Sequence, residues 1–314
     1  MSLLSSIYGA ATRLRNGLYD RGVLKAHRMS RPVISVGNLS VGGSGKTPFV
    51  ILLGELLKAR NIRFDVLSRG YGRRTRGVLA VDPSGSPDDF GDEPLLIAQR
   101  LGCPVVVGES RYEAGVFAEK QFDSQLHILD DGFQHRSLAR DFDIVLLTPE
   151  DVRDRLLPAG RLREPLASLR RAHALVLTGE IELKDLHVSD KHEWKLRRGI
   201  SITNPPEQPV VFCGIARPQR FLEQLRASGI HEAAVKFYRD HYRYSERDVR
   251  ELIEIGNHSR AGGFITTEKD GINLGPLLAQ LGQVAIAQVR MELAQPDAAL
   301  DTLLRVIRER RASA

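Results

Sequence analysis

A short glycine-rich segment of this chain carries the residue types that hold phosphate groups. It reads Gly42-Gly-Ser-Gly-Lys-Thr47 and joins an apolar, β-rich run to a helical pattern. Glycines let backbone N–H groups turn toward phosphate oxygens, and a helix start, a lysine charge and a threonine hydroxyl that can ligate Mg²⁺ complete the set. The strict motif has glycine at position 40, where this chain has Ser40, and the additional glycines offset that departure. We predict a phosphate-binding loop made of Gly42, Gly43, Ser44, Gly45, Lys46 and Thr47.

A second candidate site lies where another predicted strand ends in acidic residues. The apolar run 126–129 leads into Asp130 and Asp131, and a glycine follows. P-loop proteins hold Mg²⁺ with an acidic residue at such a strand end, across from the loop threonine. A tight Asp-Gly turn is the alternative, but two successive aspartates favour the metal. We predict that Thr47 with Asp130 or Asp131 positions Mg²⁺.

A carboxylate and a histidine are less easily assigned from their patterns. Asp92 stands just before a helical segment at 95–101, where an aspartate that caps the helix is common. Phosphoryl transfer to a hydroxyl also benefits from a carboxylate that orients the hydroxyl or accepts its proton. His241 lies among the aromatic residues of 237–244, and the pattern alone favours a packing role. The residues by themselves leave both roles of Asp92 open.

Two basic loops could hold an anion. Residues 69–76 bring four arginines and a tyrosine to the end of the second predicted strand, and 157–165 combine proline and glycine with Arg161, Arg163 and Glu164. Guanidinium groups recognise anions through paired hydrogen bonds, and loops at strand ends often carry binding residues. A solvated turn is the alternative for each loop.

The order of the predicted elements favours a parallel α/β sheet whose ligands gather at the carboxyl ends of the strands. The glycine loop is flanked by a strand from 33 and a helix at 47–58, and a second strand follows at 62–68. Further strands are predicted at 104–107, 126–129, 143–148 and 174–178, and a second α/β unit at 209–213, 263–267 and 284–289.

Polarity along the chain suggests four parts. Residues 181–208 are polar and contain Asn204-Pro-Pro206, which is typical of a linker or ribbon between domains. The predicted parts are an amphipathic helix in 1–25, a catalytic P-loop domain over 26–190, a linker over 191–208 and a smaller α/β domain over 209–314.

The N-terminal pattern predicts an amphipathic helix. Leucine, isoleucine and tyrosine recur at spacings of three and four over 3–19, with arginines beside the stripe. No apolar run approaches the roughly 20 residues of a membrane span, and no signal peptide is indicated. A helix lying in the membrane plane and a helix packed on its own domain fit the pattern equally well.

Composition is that of an ordinary globular protein with a basic balance. The 314 residues are 42% hydrophobic and 27% charged, with a net charge of +6 that suits anionic partners. Aromatic residues make up only 6%, and no basic stretch has interleaved stacking residues, which argues against nucleic-acid binding. Cys103 and Cys213 are far apart in sequence and are interpreted as buried, reduced thiols.

Seven motifs in the same order resemble the tetraacyldisaccharide 4′-kinase family of lipid A biosynthesis. They cover nearly the full chain and are Gly37-Asn38 with Gly42-Gly-Ser-Gly-Lys-Thr-Pro48, Leu67-Ser-Arg-Gly-Tyr71, Gly91-Asp-Glu-Pro94, Asp130-Asp-Gly-Phe-Gln-His135, Gly160-Arg-Leu-Arg-Glu-Pro165, Asp240-His-Tyr242 and Thr266-Thr-Glu-Lys-Asp270. The resemblance implies a two-domain enzyme with an α/β/α sandwich and a mostly parallel sheet. It also implies transfer of the γ-phosphoryl group of ATP to the 4′-hydroxyl of a tetraacylated disaccharide 1-phosphate, with ATP and Mg²⁺ required.

The resemblance also implies roles for particular residues and a location. Asp92 and His241 match the family's catalytic pair, and we expect Asp92, oriented by His241, to accept or relay the hydroxyl proton. The residues that match its lipid or nucleotide contacts are Arg69, Tyr71, Gln134, His135, Arg163 and Glu164. The N-terminal helix is expected on the cytoplasmic face of the bacterial inner membrane, in peripheral association. Neither a protein partner nor a nucleic acid is expected.

Switch ATPases that partition DNA or deliver metals and membrane proteins carry a similar glycine-rich core. They have a lysine just before the first loop glycine, where this chain has Val41. They also need no arginine-rich loop after the second strand. The kinase is therefore the favoured interpretation.

Overall fold

A computed structural model describes residues 3–179, 181–186 and 188–313. The strands are β1 (Val33–Asn38), β2 (Phe64–Ser68), β3 (Leu79–Ala80), β4 (Val105–Val107), β5 (Leu126–Asp130), β6 (Phe142–Leu147), β7 (Ala174–Thr178), β8 (His192–Ser201), β9 (Val210–Cys213), β10 (Ala234–Phe237), β11 (Phe264–Thr267) and β12 (Val284–Leu293). The helices are α1 (Leu3–Asp20), α2 (Lys46–Ala59), α3 (Pro87–Phe90), α4 (Asp92–Leu101), α5 (Arg111–Gln121), α6 (Pro149–Arg153), α7 (Pro218–Ala227), α8 (Glu246–Ser259), α9 (Glu268–Leu274) and α10 (Pro296–Ala312).

The strands form one sheet in the order β10-β9-β11-β12-β8-β7-β6-β1-β5-β2-β4-β3. Most neighbours pair in parallel, and the antiparallel pairs are β3 with β4 and β8 with β12. Parallel strands bring their carboxyl ends to one edge, where ligands of α/β proteins bind. The predicted α/β class with a largely parallel sheet is confirmed.

Alternation along β1 shows why the sheet is covered on both faces. All six residues of β1 are buried. Ile34 and Val36 pack into a core shared with α2, α4 and α10, whereas Val33 packs into another with Ala114 and Ala118 of α5. Because successive side chains of a strand point to opposite faces, a strand that is apolar at every position requires a helical layer on each side. The observed layers are those of an α/β/α sandwich.

Two strands connect the N-terminal and C-terminal parts of the sheet. β8 lies within the segment predicted as a linker or ribbon, and it pairs in parallel with β7 and antiparallel with β12. The first four residues of β12 pair in parallel with β11, and its last six pair with β8. No break therefore separates a smaller sheet from the larger one in the described chain. The division into domains stays a prediction.

The predicted N-terminal helix is present as α1, and its polar side faces the protein. Ser5, Gly9 and Asn16 are buried. The exposed apolar side chains of this helix are Leu3, Leu4, Ile7 and Leu14, at 58–76% exposure. None of the helices in the described part of the chain is both long and apolar enough to cross a bilayer.

The two cysteines form no disulfide. Cys213 is buried, as predicted, whereas Cys103 is only partly buried. Burial raises the pKa of the Cys103 thiol to about 12 and also raises that of Cys213. Both side chains are therefore thiols at neutral pH.

Candidate active site

The glycine loop joins the central strand β1 to the start of α2. Gly42, Gly43 and Gly45 have φ angles of +72°, +63° and +85°, in the left-handed region that glycine adopts without strain. Gly45 precedes the first residue of α2, Lys46, so the loop ends at a helix N-terminus with free backbone N–H groups. Thr47 follows in the first turn and is buried. The local geometry is that of a phosphate-binding loop.

Lys46 is held in place by neighbouring polar groups. Its ammonium donates to Asn38 Oδ1 at 3.0 Å and lies 3.6 Å from Asp131 Oδ1. Arg163 donates to both oxygens of Asp131, at 2.8 and 2.7 Å. Partial burial opposes ionisation of Asp131, but the charges of Lys46 and Arg163 outweigh it and hold the pKa of that carboxyl below its usual range. Asp131 is therefore a carboxylate that serves two cations.

Asp130 has a different environment, although it is the next residue in the chain. Its Oδ2 accepts from Ser68 at 3.2 Å, while its Oδ1 is buried with no hydrogen-bond partner. Burial, together with the negative charges of Glu93 and Asp131, raises the pKa of Asp130 to about 7. An unpartnered carboxylate oxygen of this kind is suited to a cation that arrives with a ligand. Its position at the end of β5 matches the prediction from sequence.

Asp92 and His241 are in direct contact, although 149 residues separate them. His241 Nδ1 lies 2.9 Å from Asp92 Oδ2 and 3.1 Å from Asp92 Oδ1. Asp92 is the first residue of α4 and is 4% exposed, and His241 follows β10 with a φ of +56°. A left-handed conformation is uncommon for histidine and is often found at functional sites. The structure thus brings the two predicted catalytic residues together.

Neighbouring groups fix the charges of this pair. Asn273 donates to Asp92 at 3.1 Å, and the Lys269 ammonium lies 3.7 Å from Asp92 and 3.2 Å from His241 Nε2. Burial by itself would raise the pKa of Asp92, but the hydrogen bond from His241 and the charge of Lys269 give a net decrease. Burial opposes the charged form of His241, but Asp92 raises the pKa of that imidazole overall. Asp92 therefore stays ionised at neutral pH.

The Asp92–His241 pair and the glycine loop lie at the same edge of the sheet. Gly91, which precedes Asp92, approaches the backbone at Gly70 and Tyr71, in the loop after β2. The charge of Glu93 acts on Asp130 at the end of β5. A nucleotide on the glycine loop and a hydroxyl at Asp92 would therefore meet at the carboxyl ends of β1, β2 and β5.

The other predicted contact residues surround this edge. Arg69 and Tyr71 are exposed, and the Tyr71 ring lies 5.1 Å from that of His241. Gln134 donates to the backbone oxygen of Asn38 at 2.9 Å, so it braces the phosphate loop. Burial and nearby arginines lower the pKa of His135 to about 4, which makes it a neutral imidazole. Tyr71 therefore lies beside the Asp92–His241 pair, and Gln134 lies beside the strand that leads into the glycine loop.

Glu164 is buried and already bonded to other side chains. It is 1% exposed and accepts from Asn16 of α1 at 2.6 Å and from Arg171 at 2.7 Å. Both bonds end on Oε2 and attach α1 to the segment that contains Arg163, while Oε1 is buried without a hydrogen-bond partner. A direct contact of Glu164 with substrate stays a prediction.

Sequence reasoning missed several residues at the site. Lys269 and Asn273 touch Asp92, and Arg111 is a buried arginine whose charge acts on Asp131. Lys269 falls inside the Thr266–Asp270 motif, so a signal for it was present. Nothing local distinguishes Asn273 or Arg111, because their importance arises only from folding.

A central strand, a glycine loop and a Lys-Thr helix start define a P-loop nucleotide-binding protein, and a carboxylate at the same sheet edge is the group that kinases place against the acceptor hydroxyl. The sequence model of the family described as LpxK, tetraacyldisaccharide-1-P 4′-kinase, matches residues 1–308. The chain belongs to this family. The family membership predicted from the seven motifs is confirmed.

Individual relatives agree with this assignment. The chain is 48% identical to the tetraacyldisaccharide 4′-kinase of Koribacter versatilis, with 99% of each chain covered. It is 38% identical to the tetraacyldisaccharide 4′-kinase of Geobacter metallireducens, with 97% of each covered. A crystal structure of LpxK from Aquifex aeolicus in complex with ATP is similar, with a TM-score of 0.80, 37% identity and 97% of each chain covered.

Proposed function

We propose that this kinase acts through Asp92 and His241, with Asp92 receiving the proton of the acceptor hydroxyl. Its family assigns tetraacyldisaccharide 4′-kinase activity in lipid A biosynthesis, with ATP as the phosphoryl donor. The reaction moves the γ-phosphoryl group of ATP to the 4′-hydroxyl of a tetraacyldisaccharide 1-phosphate. The observation that carries the proposal is the 2.9 Å contact between His241 and Asp92 at the edge of the sheet that holds the phosphate loop.

Phosphoryl transfer to a hydroxyl needs accurate positioning of the reactants more than it needs a strong base. Phosphoryl transfer passes through a loose transition state, so most of the acceleration comes from orientation and charge. The lowered pKa of Asp92 suits this task, since the group must be a carboxylate when the hydroxyl arrives. His241 and Asn273 fix the carboxylate, and Lys46 offsets charge on the transferring group.

Magnesium is proposed as the metal of the reaction. Within 3–179, 181–186 and 188–313, no three His, Cys, Asp or Glu side chains converge on a metal position. Mg²⁺ commonly uses one or two protein ligands together with phosphate oxygens and water, so a small donor set is compatible with it. Thr47 and the unpartnered Oδ1 of Asp130 would hold the ion. Asp131 is the less suitable ligand because Lys46 and Arg163 already share it. When bound, the ion would neutralise negative charge on the phosphates.

The acceptor is proposed to lie beside the two basic loops. Arg69, Tyr71 and Arg163 offer cationic and aromatic contacts for the disaccharide and its phosphate, and Gln134 and His135 offer polar ones. Glu164 supports the proposal indirectly, since it holds the segment that bears Arg163.

Peripheral association with the cytoplasmic face of the inner membrane is proposed for α1. Its buried side is polar, and Tyr8 donates to the backbone oxygen of Arg163 at 3.0 Å. Its exposed side carries Leu3, Ile7 and Leu14, at 76%, 58% and 65% exposure. An apolar stripe next to basic residues suits the interface of an anionic bilayer.

The test is transfer of labelled γ-phosphate from ATP to a tetraacyldisaccharide 1-phosphate in detergent micelles. With Asp92→Asn we expect kcat to fall by about 10²–10³, with the KM for ATP little changed, because the lost group acts on the hydroxyl. His241→Gln should cause a smaller loss, and the double variant should lose less than the sum of the two, since the residues act as a unit. Asp89→Asn is the matched control on the neighbouring helix α3. A normal rate for Asp92→Asn would contradict the proposed roles.

A further inference from the structure

Two arginines outside the predicted site lie against the glycine loop, and the charge of a third acts on one of them. Arg198 lies on β8, while Arg217 and Arg220 lie at the start of α7. A Cβ atom added to Gly43 would stand 3.0 Å from the Arg217 side chain, and one added to Gly45 would stand 3.6 Å from Arg198 Nη1. We call these residues the arginine cluster. Arg198 and Arg217 come close to the loop, and the charge of Arg220 acts on Arg198.

One carboxylate, that of Glu150, lies beside the arginine cluster. Among the described residues, neither Arg198 nor Arg220 has a carboxylate within 4.0 Å, whereas Arg217 lies 3.4 Å from Glu150. A hydrogen bond from Thr148 and the charges of Arg217 and Arg220 lower the pKa of Glu150 to about 2, so a single anion serves the cluster. The guanidinium nitrogens that are buried and lack a hydrogen-bond acceptor are Arg198 Nε, Arg217 Nε, Arg217 Nη2 and Arg220 Nη1. Guanidinium groups in proteins are normally paired when they are buried.

This arrangement is unfavourable for the folded chain by itself. Burial, and then the positive charges of Arg220 and Arg217, lower the pKa of Arg198 to about 10. Like charges that are partly removed from water repel, and donors without acceptors lose their hydration. Such a cluster is understandable when a ligand brings the missing negative charge and the missing acceptors.

The position of the arginine cluster identifies the chemistry of that ligand. The glycines that it approaches are those whose backbone would face phosphate oxygens. Lys46 on the same loop is already bonded to Asn38 and paired with Asp131, whereas the arginines have buried donors without acceptors. A planar guanidinium also binds two phosphate oxygens through a pair of parallel hydrogen bonds, a fixed geometry that a lysine ammonium does not have.

We infer that Arg198, Arg217 and Arg220 bind the β- and γ-phosphates of ATP, as a second set of cations opposite the Lys46 side of the loop. The inference rests on the proposed function only in that ATP is the phosphoryl donor. It gives the C-terminal part of the chain a direct contact with the nucleotide, in addition to the contribution of His241 to the catalytic pair.

The test is calorimetric titration of the full chain with ATP and with AMP, in the presence of Mg²⁺ and without lipid. Replacing any one of the arginines by glutamine should weaken ATP binding by about tenfold or more, because each loses charge-assisted hydrogen bonds. AMP has no β- or γ-phosphate, so its affinity should change less than twofold. Arg197→Gln on β8 and Arg226→Gln on α7 are matched controls, since Arg197 is exposed and Arg226 pairs with Glu232.

A second measurement separates a binding role from a structural one. Without nucleotide, the melting temperature of Arg198→Gln should equal or exceed that of the wild type, because the substitution removes like-charge repulsion. Unchanged ATP affinity in all three variants would overturn the inference, as would an equal loss for AMP or a lowered melting temperature that accounts for the weaker binding. Since lipid is absent, failure of the proposed acceptor chemistry would leave the titration result intact.

Discussion

The two sides of the glycine loop handle positive charge in opposite ways. On one side, Lys46 and Arg163 share the carboxylate of Asp131, so each cation has an anion before any ligand binds. On the other side, Arg198 and Arg220 lack a carboxylate within 4.0 Å among the described residues, and Arg217 has Glu150 at 3.4 Å. The paired side is preorganised at little expense in stability, whereas the unpaired side depends on an arriving anion.

The comparison shows how a single loop can combine rigidity with ligand dependence. Paired groups keep their geometry in the free protein and favour catalysis by fixed dipoles. Unpaired cations repel one another until an anion binds, so they stabilise the bound state more than the free state. Substitutions on the two sides should therefore affect the free energy of unfolding differently. Loss of a paired cation should lower it, and loss of an unpaired cation should leave it unchanged or raise it.

The largest effect is expected from Lys46→Ala on the paired side. We expect kcat/KM for phosphoryl transfer to fall by about 10³, since the variant loses a fixed positive charge and leaves the negative charge of Asp131 less compensated near the phosphates. Lys46→Arg retains the charge but changes its shape, and it should recover part of the loss. Steady-state kinetics with saturating lipid would measure both. A Lys46→Ala rate within tenfold of the wild type would remove the paired side from catalysis.

The two sides can be compared directly through the free energy of unfolding of one variant on each side. Arg163→Gln removes one partner of Asp131 and should lower the free energy of unfolding by about 1 kcal/mol, a modest value because Asp131 is partly exposed. Arg198→Gln should leave that free energy unchanged or raise it. Denaturant unfolding without nucleotide would measure the difference. If both substitutions destabilised the chain equally, the contrast between paired and unpaired charges would be wrong.

The contact between Asp92 and His241 extends the comparison to a pair that joins distant parts of the chain. The raised pKa of His241 means that the folded state binds its proton more tightly, so this stabilisation is full below about pH 6.5 and is lost as pH rises through the folded pKa. The lowered pKa of Asp92 gives stabilisation that is present above about pH 3.8 and is lost as pH falls through its folded pKa.

The expected result is that His241→Gln is destabilised relative to the wild type at pH 6, by about 1 kcal/mol, and less so at pH 9. Unfolding at the two pH values measures this, and His231→Gln, at an exposed position, is the control. A deficit that grew toward pH 9 would contradict the assigned direction of the shift.

The smallest effect on stability is expected at α1. One side of this helix is polar and bonded to the protein, and the other side is apolar and exposed. Ile7→Ser should change the free energy of unfolding by less than about 0.5 kcal/mol, since the side chain is exposed. It should still reduce sedimentation with anionic phospholipid vesicles, whereas Val235→Ser, at another exposed apolar position, should not. Equal vesicle binding by Ile7→Ser and the wild type would argue against membrane contact through this face.

Much of the fold and of the site could be predicted because the signals are local. The glycine loop, Asp130 and Asp131 each follow an apolar strand within a few residues, so spacing and residue type suffice. His241 is different, since its partner Asp92 lies 149 residues away and its own neighbours are aromatic. Only the family resemblance indicated the pair. The structure supplied the contact.

The arginine cluster and the path of β12 could not be predicted for a related reason. Arg198 and Arg217 stand 19 positions apart on a strand and a helix, and the sequence around each of them predicts exposure to solvent. β12 reads as one strand, yet it pairs in parallel along its first part and antiparallel along its last. Hydrophobic pattern specifies that a strand forms, but not which neighbours it meets. Tertiary assembly decides both features.

The attachment of α1 through its polar side separates two kinds of evolutionary constraint. Ser5 and Asn16 bond to Leu156 and Glu164, so changes at these positions act on the folded chain. Leu3, Ile7 and Leu14 touch little of the protein and are free to vary with whatever apolar surroundings the helix meets. Selection on folding and selection on surface affinity therefore act on different residues of one helix. A lineage can alter one without disturbing the other.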